Sequence, residues 1–595
     1  MSKKILAVVL SLILAFSIVA VPVGASDVEF VTASAVENVA NNFLDKLIAF
    51  VLKYFNMYWP GYEGNWETTE EYKTPFTFYE GDKSFDKDVK ADAEWSLGYS
   101  SASLLDGISP MSGDYFLAGS LEPIAGRVPT EVVDDQKVRV YAISDGSGVV
   151  VQAVIDGFGL SRGDVSVIRE KLDKFSADNN IVAVNVSVLH QHSCIDTLGM
   201  NVPLAQALIF NAGNAASGGL LEGQKVEKNQ VFMNNLFEKT TLAIKKAVKN
   251  MEEGKLYYGS TDISNYMRDK RDPQAMDTKL HRLRFDPTNE NSPETWIVEG
   301  GVHLMSFGAG GDKLSGDFPY YIEQTLRREK GVNMVYVQGA ELAISTRYVA
   351  LCEKCGKNAD NIPEIKCDAK GVYTIKCNTC GLTTEDMYNE EDFFETDAKY
   401  YLDVLDAWNR ANNEGALTSA ERADGFGYTF AQKLISIADK EVALDPVLNI
   451  KMKEVTLDVT NEILTLAARE DLLNAIIVKG KNGYELKTEI GYMELGNEIA
   501  VFICPGEFDP AIVFGGPESG DAAWLGGEWN YAPLKDLTDC NTVLAFGLCN
   551  DQAGYVLRDN EYHSLLSENE EVNVISTTAG STFVEAYGDL VKDIA

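Results

Sequence analysis

From Ile108 onward the chain alternates apolar runs of strand length with stretches whose apolar positions recur at helical spacing. Strands are expected over 138–142, 148–155, 181–189, 295–300, 332–337, 456–466, 498–503 and 541–546, and helices over 165–175, 318–328, 396–412 and 419–439. This interleaving predicts an α/β fold in which mixed β-sheets are flanked by helices. No repeat and no low-complexity linker breaks 106–595, which reads as one large domain carrying an insert at 350–383.

The chain before this domain has a different character. Lys3 and Lys4 precede an apolar run from Ile5 to Val21, which closes in Val23, Gly24 and Ala25. A charged start, an apolar centre and a small-residue end identify 1–25 as a signal peptide, so the mature chain is expected to be secreted or held at the extracellular surface. Residues 26–105 form an N-terminal extension rich in Tyr, Trp, Glu and Lys. Its stretch 43–55 is too short to span a bilayer and carries Asp45, Lys46 and Lys53. An amphipathic helix packed on the domain is expected there, with a membrane-surface role as the alternative.

Asp and Glu number 89 against 52 Lys and Arg, a net charge of -37 at pH 7, which argues against nucleic acid or an anionic bilayer as partner. Hydrophobic residues make up 45% and aromatics 10%, so the acidity is spread over a folded surface rather than a disordered tail.

The cysteines are unevenly placed. Cys352 and Cys355, and then Cys377 and Cys380, form two CxxC knuckles with Gly356 to Lys376 between them, and each knuckle is followed by a glycine, Gly356 or Gly381. That spacing is of zinc-ribbon type and favours one structural zinc over disulfides, leaving Cys367 over. A four-cysteine site is closed, so this insert is a scaffold element rather than a place for substrate.

Five histidines occur in the chain, and two of them, His190 and His192, follow directly on the apolar run 181–189. In extended backbone residues i and i+2 face the same side, so both imidazoles can address one site at the strand's end. Three further groups also stand just past an apolar strand: His303 after 295–300, Glu507 beyond 498–503 and the turn Pro505-Gly506, and Tyr555 past 541–546. Taken singly, Glu507 could cap its turn, Tyr555 could be a half-buried aromatic, and His303 could be a satisfied strand-end histidine.

In their order along 106–595 these segments resemble the neutral, non-lysosomal ceramidases. Ile108-Ser109-Pro110 and Leu117-Ala118-Gly119 are similar to that family's opening elements, and Leu189-His190-Gln191-His192-Ser193 to its THTHS motif, although Cys194-Ile195 replace the Gly-Pro that follows. Val302-His303 resembles its second histidine segment, Pro505-Gly506-Glu507-Phe508 its PGE segment, and Gly547-Leu548-Cys549-Asn550 through Tyr555 its closing segment. The resemblance implies a catalytic zinc held by His190, His303, Glu507 and Tyr555, with His192 beside the substrate. Two imidazoles, a carboxylate and a phenol make an open N/O donor set suited to zinc.

The resemblance fails at the nucleophile. The family's serine lies in an NxGDVSP motif, and the corresponding Gln338-Gly339-Ala340-Glu341-Leu342-Ala343-Ile344 has Ala343 at that position, with Ser345 two residues on. The economical mechanism is then attack by water activated on zinc, with His192 or Glu341 as proton acceptor. Arg268, or Arg271 as the next nearest match to a family arginine, would bind a substrate carboxylate or polarise an oxygen. Asp317 either orients a histidine or, as the better reading, caps the helix expected at 318. A metallo-β-lactamase-type site would need an HxHxDH run, and Asp196 falls too far beyond His192 for that.

The expected function is an exported zinc hydrolase of the ceramidase type acting on a small-molecule or lipid amide, with one catalytic and one structural zinc. The alternative is a non-catalytic zinc-binding extracellular protein that keeps the fold.

Overall fold

Ile181–Val188, with sequence IVAVNVSV, is β-branched at most positions, and only one of its residues is less than buried. That composition suits a strand covered on both faces, and it lies at one edge of the larger of two principal sheets. The computed structural model describes residues 67–119, 126–202, 228–346, 419–518, 528–562 and 573–594, apart from 272, 309, 470–472 and 482, together with strands at 364–367, 372–376 and 383–387.

The larger sheet contains β1 (Trp95–Ser103), β2 (Lys137–Ser144), β3 (Val149–Ile155), β4 (Ile181–Val188), β5 (Glu252–Asp262), β6 (Lys279–Pro287), β7 (Thr295–Gly300) and β8 (Asn333–Gln338). Their order is β8-β7-β6-β5-β1-β2-β3-β4, and the short strand Val442–Leu444 also pairs with β5. The β3–β4 and β7–β8 pairs are parallel. A parallel pair needs a crossover. These are supplied by α1 (Arg162–Glu170) with α2 (Asp173–Asp178), and by α4 (Asp317–Lys330), which follows α3 (Gln230–Lys249) in the chain.

The second sheet runs β9 (Leu448–Val459), β10 (Tyr484–Leu495), β11 (Ile499–Ile503) and β12 (Thr542–Phe546), the last two parallel. The remaining α-helices among the described residues are α5 (Ser419–Ile435), α6 (Glu462–Arg469), α7 (Pro510–Phe514) and α8 (Ala579–Lys592).

Period-two alternation decides how these layers pack. Val138, Val140 and Ala142 of β2 point to Phe232, Met233 and Leu236 of α3. Their neighbours Tyr141 and Ile143 join Ile450, Met493, Val501 and Leu544 of the second sheet in one core. On the second sheet's other face, Tyr492, Phe502 and Ala545 pack with Phe583, Val584 and Tyr587 of α8. The result is an α/β fold with two mixed sheets between helices.

Several expectations change. The predicted strand 456–466 divides: β9 stops at Val459, and Asn461 starts α6 by accepting the backbone N–H groups of Ile463 and Leu464 at 3.0 and 3.3 Å. The predicted helix 165–175 is broken after Glu170, where Lys171 caps α1. Strand β1 falls inside 26–105, the segment set apart as an extension, yet β2 and β5 flank it on both sides. Its run WSLGYSSAS is too rich in serine to read as a buried strand. The expected signal peptide at 1–25, the stretch 43–55, the helix expected at 396–412, and Cys352, Cys355, Cys377 and Cys380 lie outside the described residues. Glu364–Cys367 and Val372–Lys376, between those cysteines, and Thr383–Met387, just after them, form a three-stranded antiparallel sheet. No helix among the described residues is long and apolar enough to cross a membrane.

Candidate metal centre

Each of the candidate groups follows the C-terminal end of a strand that belongs to a parallel pair. His190 follows β4, His303 follows β7, Glu341 follows β8, Glu507 follows β11 and Tyr555 follows β12. Backbone hydrogen bonds draw these ends together. Gly547 donates to the Gln338 carbonyl, Asn550 to Val186, and Val188 to Leu548, so the segment after β12 bridges β8 and β4. His303 bridges to Ser345 and Gln191 to Leu304, while Glu507 pairs directly with Tyr555 in a two-residue parallel ladder. Paired residues of a ladder leave it on the same face, so the carboxylate and the phenol start out side by side.

One donor atom from each of His190, His303, Glu341 and Glu507 lies within 4.8 Å of the others, and the same holds for His190, His192 and His303. Glu507 Oε2 stands 3.3 Å from His190 Nε2 and 3.2 Å from His303 Nε2. The far side of each imidazole is already engaged. His190 Nδ1 lies 2.9 Å from the Phe158 carbonyl and His192 Nδ1 3.0 Å from the Gly119 carbonyl. His303 Nδ1 meets the carbonyls of Glu341 and Ile344, both at 3.0 Å, and the Glu341 carboxylate as well. A carbonyl only accepts, so each Nδ1 carries a proton and donates it outward, and each Nε2 faces the centre, where it would offer its lone pair to a bound cation.

These residues fit a divalent cation. His192 Nε2 is buried without a hydrogen-bond partner, and Glu507 Oε2 faces the two imidazole Nε2 atoms; a buried nitrogen left unpaired is costly in a site with nothing to bind. The donor set, imidazole with carboxylate, is the kind zinc takes in open catalytic sites. The backbone is strained here too: His190, Ala343, Leu548 and Asn550 have φ of 55, 62, 48 and 66°. Non-glycine residues enter that region at a cost of about 1–3 kcal/mol each, and such strain clusters at functional sites.

The αL turn at His190 corrects the expected geometry. β4 ends at Val188, so His190 and His192 do not share one face of a strand; the turn brings their rings edge to face with centroids 4.8 Å apart. Glu341, expected as a proton acceptor, is fully buried against the outer nitrogen of His303, where it orients the ring. Asp317 does not reach a histidine. Its carboxylate accepts the N–H groups of Ser306 and Phe318, pinning the loop after His303 to the start of α4, while burial raises it to about 6. Arg268 is buried opposite Ser345, one strand removed from His303.

Two contributors escape the sequence reading, and a third, Gly119, is read there only as part of a family-like segment. Phe158 stacks on His190 with centroids 4.4 Å apart besides offering its carbonyl, and Gln552 donates to Glu507 Oε1 at 3.1 Å. Gly119 is a glycine because its φ is 112° and a Cβ there would lie 2.5 Å from the His192 carbonyl oxygen. Phe158 follows the end of β3, so the same strand-end pattern marks it; nothing local marks Gln552.

Burial alone lowers His303, but Glu341 and Glu507 more than reverse this and raise it to about 10 in the metal-free chain. Burial, followed by the charges of His190 and His303, pushes His192 well below 6.5. NMR of the imidazoles in the metal-free protein is therefore expected to show His303 protonated to about pH 10 and His192 neutral at pH 7. Because the folded value is raised, the stability from this ion pair is complete below 6.5 and is lost as pH climbs through about 10. A His303 titrating near 6.5 would contradict the arrangement.

No protein-family model and no curated protein matches the sequence. Solved structures do match. The neutral ceramidase from Pseudomonas aeruginosa superposes with a TM-score of 0.53 at 14% identity, covering 84% of this chain and 74% of that one. A ceramidase complexed with C2 superposes with a TM-score of 0.52 at 11% identity, covering 84% of this chain and 75% of that one. The chain has a ceramidase-like fold, and within it lie groups of residues able to hold a metal ion.

Proposed function

We propose that this chain is an exported zinc-dependent hydrolase of the neutral ceramidase type, cleaving the amide of an N-acyl lipid such as ceramide or a related compound. The observation that carries the reading is the convergence of His190 Nε2, His303 Nε2 and Glu507 Oε2 on one buried point, each imidazole held by its far nitrogen. His190, His303, Glu507 and Tyr555 would hold the ion, and the four insert cysteines a second, structural one. A bound zinc supplies Lewis acidity toward a carbonyl oxygen and lowers the pKa of water. The ceramidase-like fold supports the substrate class.

The chain's own residues then divide the work. Ala343 has no nucleophilic atom, so water is the nucleophile. His192 is neutral and its Nδ1 proton is committed to Gly119, which leaves Nε2 free to take the proton from that water and return it to the leaving amine. Glu341 and the Phe158 carbonyl hold His303 and His190 in position. Arg268 is assigned to the polar end of the substrate.

One observation favours the second reading, a zinc-binding extracellular protein without turnover. The Ala343 methyl packs with Leu342, Tyr555, Leu557, Tyr562 and Val574, filling the family's nucleophile position with apolar contact. The purified mature chain is to be assayed on a panel of fluorogenic N-acyl amides before and after chelation, with zinc counted in the same samples. Hydrolysis lost on chelation and restored by zinc is the expected result. Zinc without turnover selects the second reading, and absence of chelatable zinc overturns both.

A further inference from the structure

A fourth histidine, His281, lies away from the metal centre, and its surroundings have the same character. His281 on β6 is directly paired with Glu299 on β7, and Asp277 stands just ahead of β6. One donor atom from each of the three lies within 4.8 Å of the others. His281 Nε2 is 2.8 Å from Asp277 Oδ2 and 4.0 Å from Glu299 Oε2, while its Nδ1 is 2.7 Å from the Tyr258 hydroxyl. A hydroxyl accepts from Nδ1–H as readily as a carbonyl does, which frees Nε2 to ligate.

Two observations point to a ligand rather than to a plain ion pair. Glu299 is 3% exposed, yet its Oε2 has no hydrogen-bond partner. Among the described residues neither Glu299 nor Asp277 has a lysine or arginine beside it; the single imidazole faces both carboxylates. The space for the Glu299 carboxylate is also built in. A Cβ on Gly339 would lie 2.3 Å from its Oε1, so the neighbouring strand end carries a residue that cannot intrude.

We propose that Asp277, His281 and Glu299 form a further metal site, taking a zinc-class divalent cation, with Tyr258 orienting the histidine. One imidazole and two carboxylates suit such an ion, whereas calcium and magnesium take oxygen ligands. The site's role is structural. Glu299 lies on β7, the strand that leads to His303, and the ion clips that strand to β6 and β5. This inference does not depend on the hydrolase reading.

The test uses the full mature chain, stripped of metal and reloaded with zinc. Zinc per chain is counted for wild type, His281→Ala and Asp277→Asn, each also in a Glu507→Gln background. His281→Ala is expected to lower the count by about one equivalent in both backgrounds and to reduce the rise in Tm that zinc produces in the wild type. Asp277→Asn, at a 16% exposed side chain, is expected to weaken zinc binding at least tenfold and serves where His281→Ala fails to fold. Equal zinc in wild type and both variants overturns the site, as does displacement of this zinc by equimolar calcium. Loss of zinc only through Glu507→Gln would leave the other centre standing and remove this one.

Discussion

Glu507→Gln is expected to abolish hydrolysis and to weaken zinc binding by at least about two orders of magnitude. Loss of a group that merely orients a metal ligand costs roughly 10- to 100-fold, so loss of a direct donor sets that range as a floor. The substitution is nearly isosteric, and the Glu507 backbone remains paired with Tyr555. Gln552 donates to Oε1 at 3.1 Å, and that acceptor survives in an amide. The other half of the amide is then the NH2, turned toward His190 Nε2 and His303 Nε2, where the carboxylate oxygen now stands. An amide N–H2 donates hydrogen bonds and has no charge or lone pair to offer a cation. The folded state should therefore persist while the centre is lost. Calorimetric zinc titration of wild type and variant measures the first effect and the amide panel the second. Unchanged zinc affinity would remove Glu507 from the centre.

The largest expected effect on stability is at Glu489. It is fully buried on β10, and Arg169 of α1 grips it with Nη2 at 2.6 Å from Oε1 and Nη1 at 3.0 Å from Oε2, while Arg162 Nε lies 3.3 Å from Oε2. Arg169 also donates to the Val184 carbonyl of β4, so the network ties the second sheet to the strand that leads to His190. Glu489→Gln leaves a buried guanidinium short of its countercharge. Breaking a buried pair in this way costs about 3–5 kcal/mol. Burial alone would raise this carboxyl, but Arg169 and then Arg162 outweigh it and hold it below its ordinary 4.5. The stability from this pair is therefore complete above 4.5 and disappears as pH falls through the lowered folded value. Urea denaturation at pH 7 checks the magnitude, and a variant within about 1 kcal/mol of wild type would mean that the pair contributes little beyond its own desolvation.

The same network explains which strands were legible. β4, β8 and β11 are covered on both faces, and their centres read as apolar runs rich in Val and Ile. β10 has the sequence YELKTEIGYMEL, whose buried Glu489 and Glu494 look like surface positions until their partners are known; Glu494 accepts from the Tyr492 hydroxyl and from Lys87, hundreds of residues earlier. β6 is similar, since His281 and Arg282 are buried only because Asp277, Glu441 and Trp296 receive them. Local periodicity treats a buried charge as an exposed one, and nothing in the neighbouring residues corrects it.

What the sequence determined by itself was local: the strands that lead to His190, His303, Glu507 and Tyr555, and the donor types that follow them. Each follows from side-chain periodicity or residue identity within a dozen positions. Only the tertiary structure decided which ends meet, that an αL turn rather than strand alternation aims His190, that Glu341 orients His303, and that His281 faces two carboxylates. Those outcomes depend on the register and packing of strands far apart in the chain, where a shift of one residue turns every side chain to the opposite face. No local pattern encodes that register.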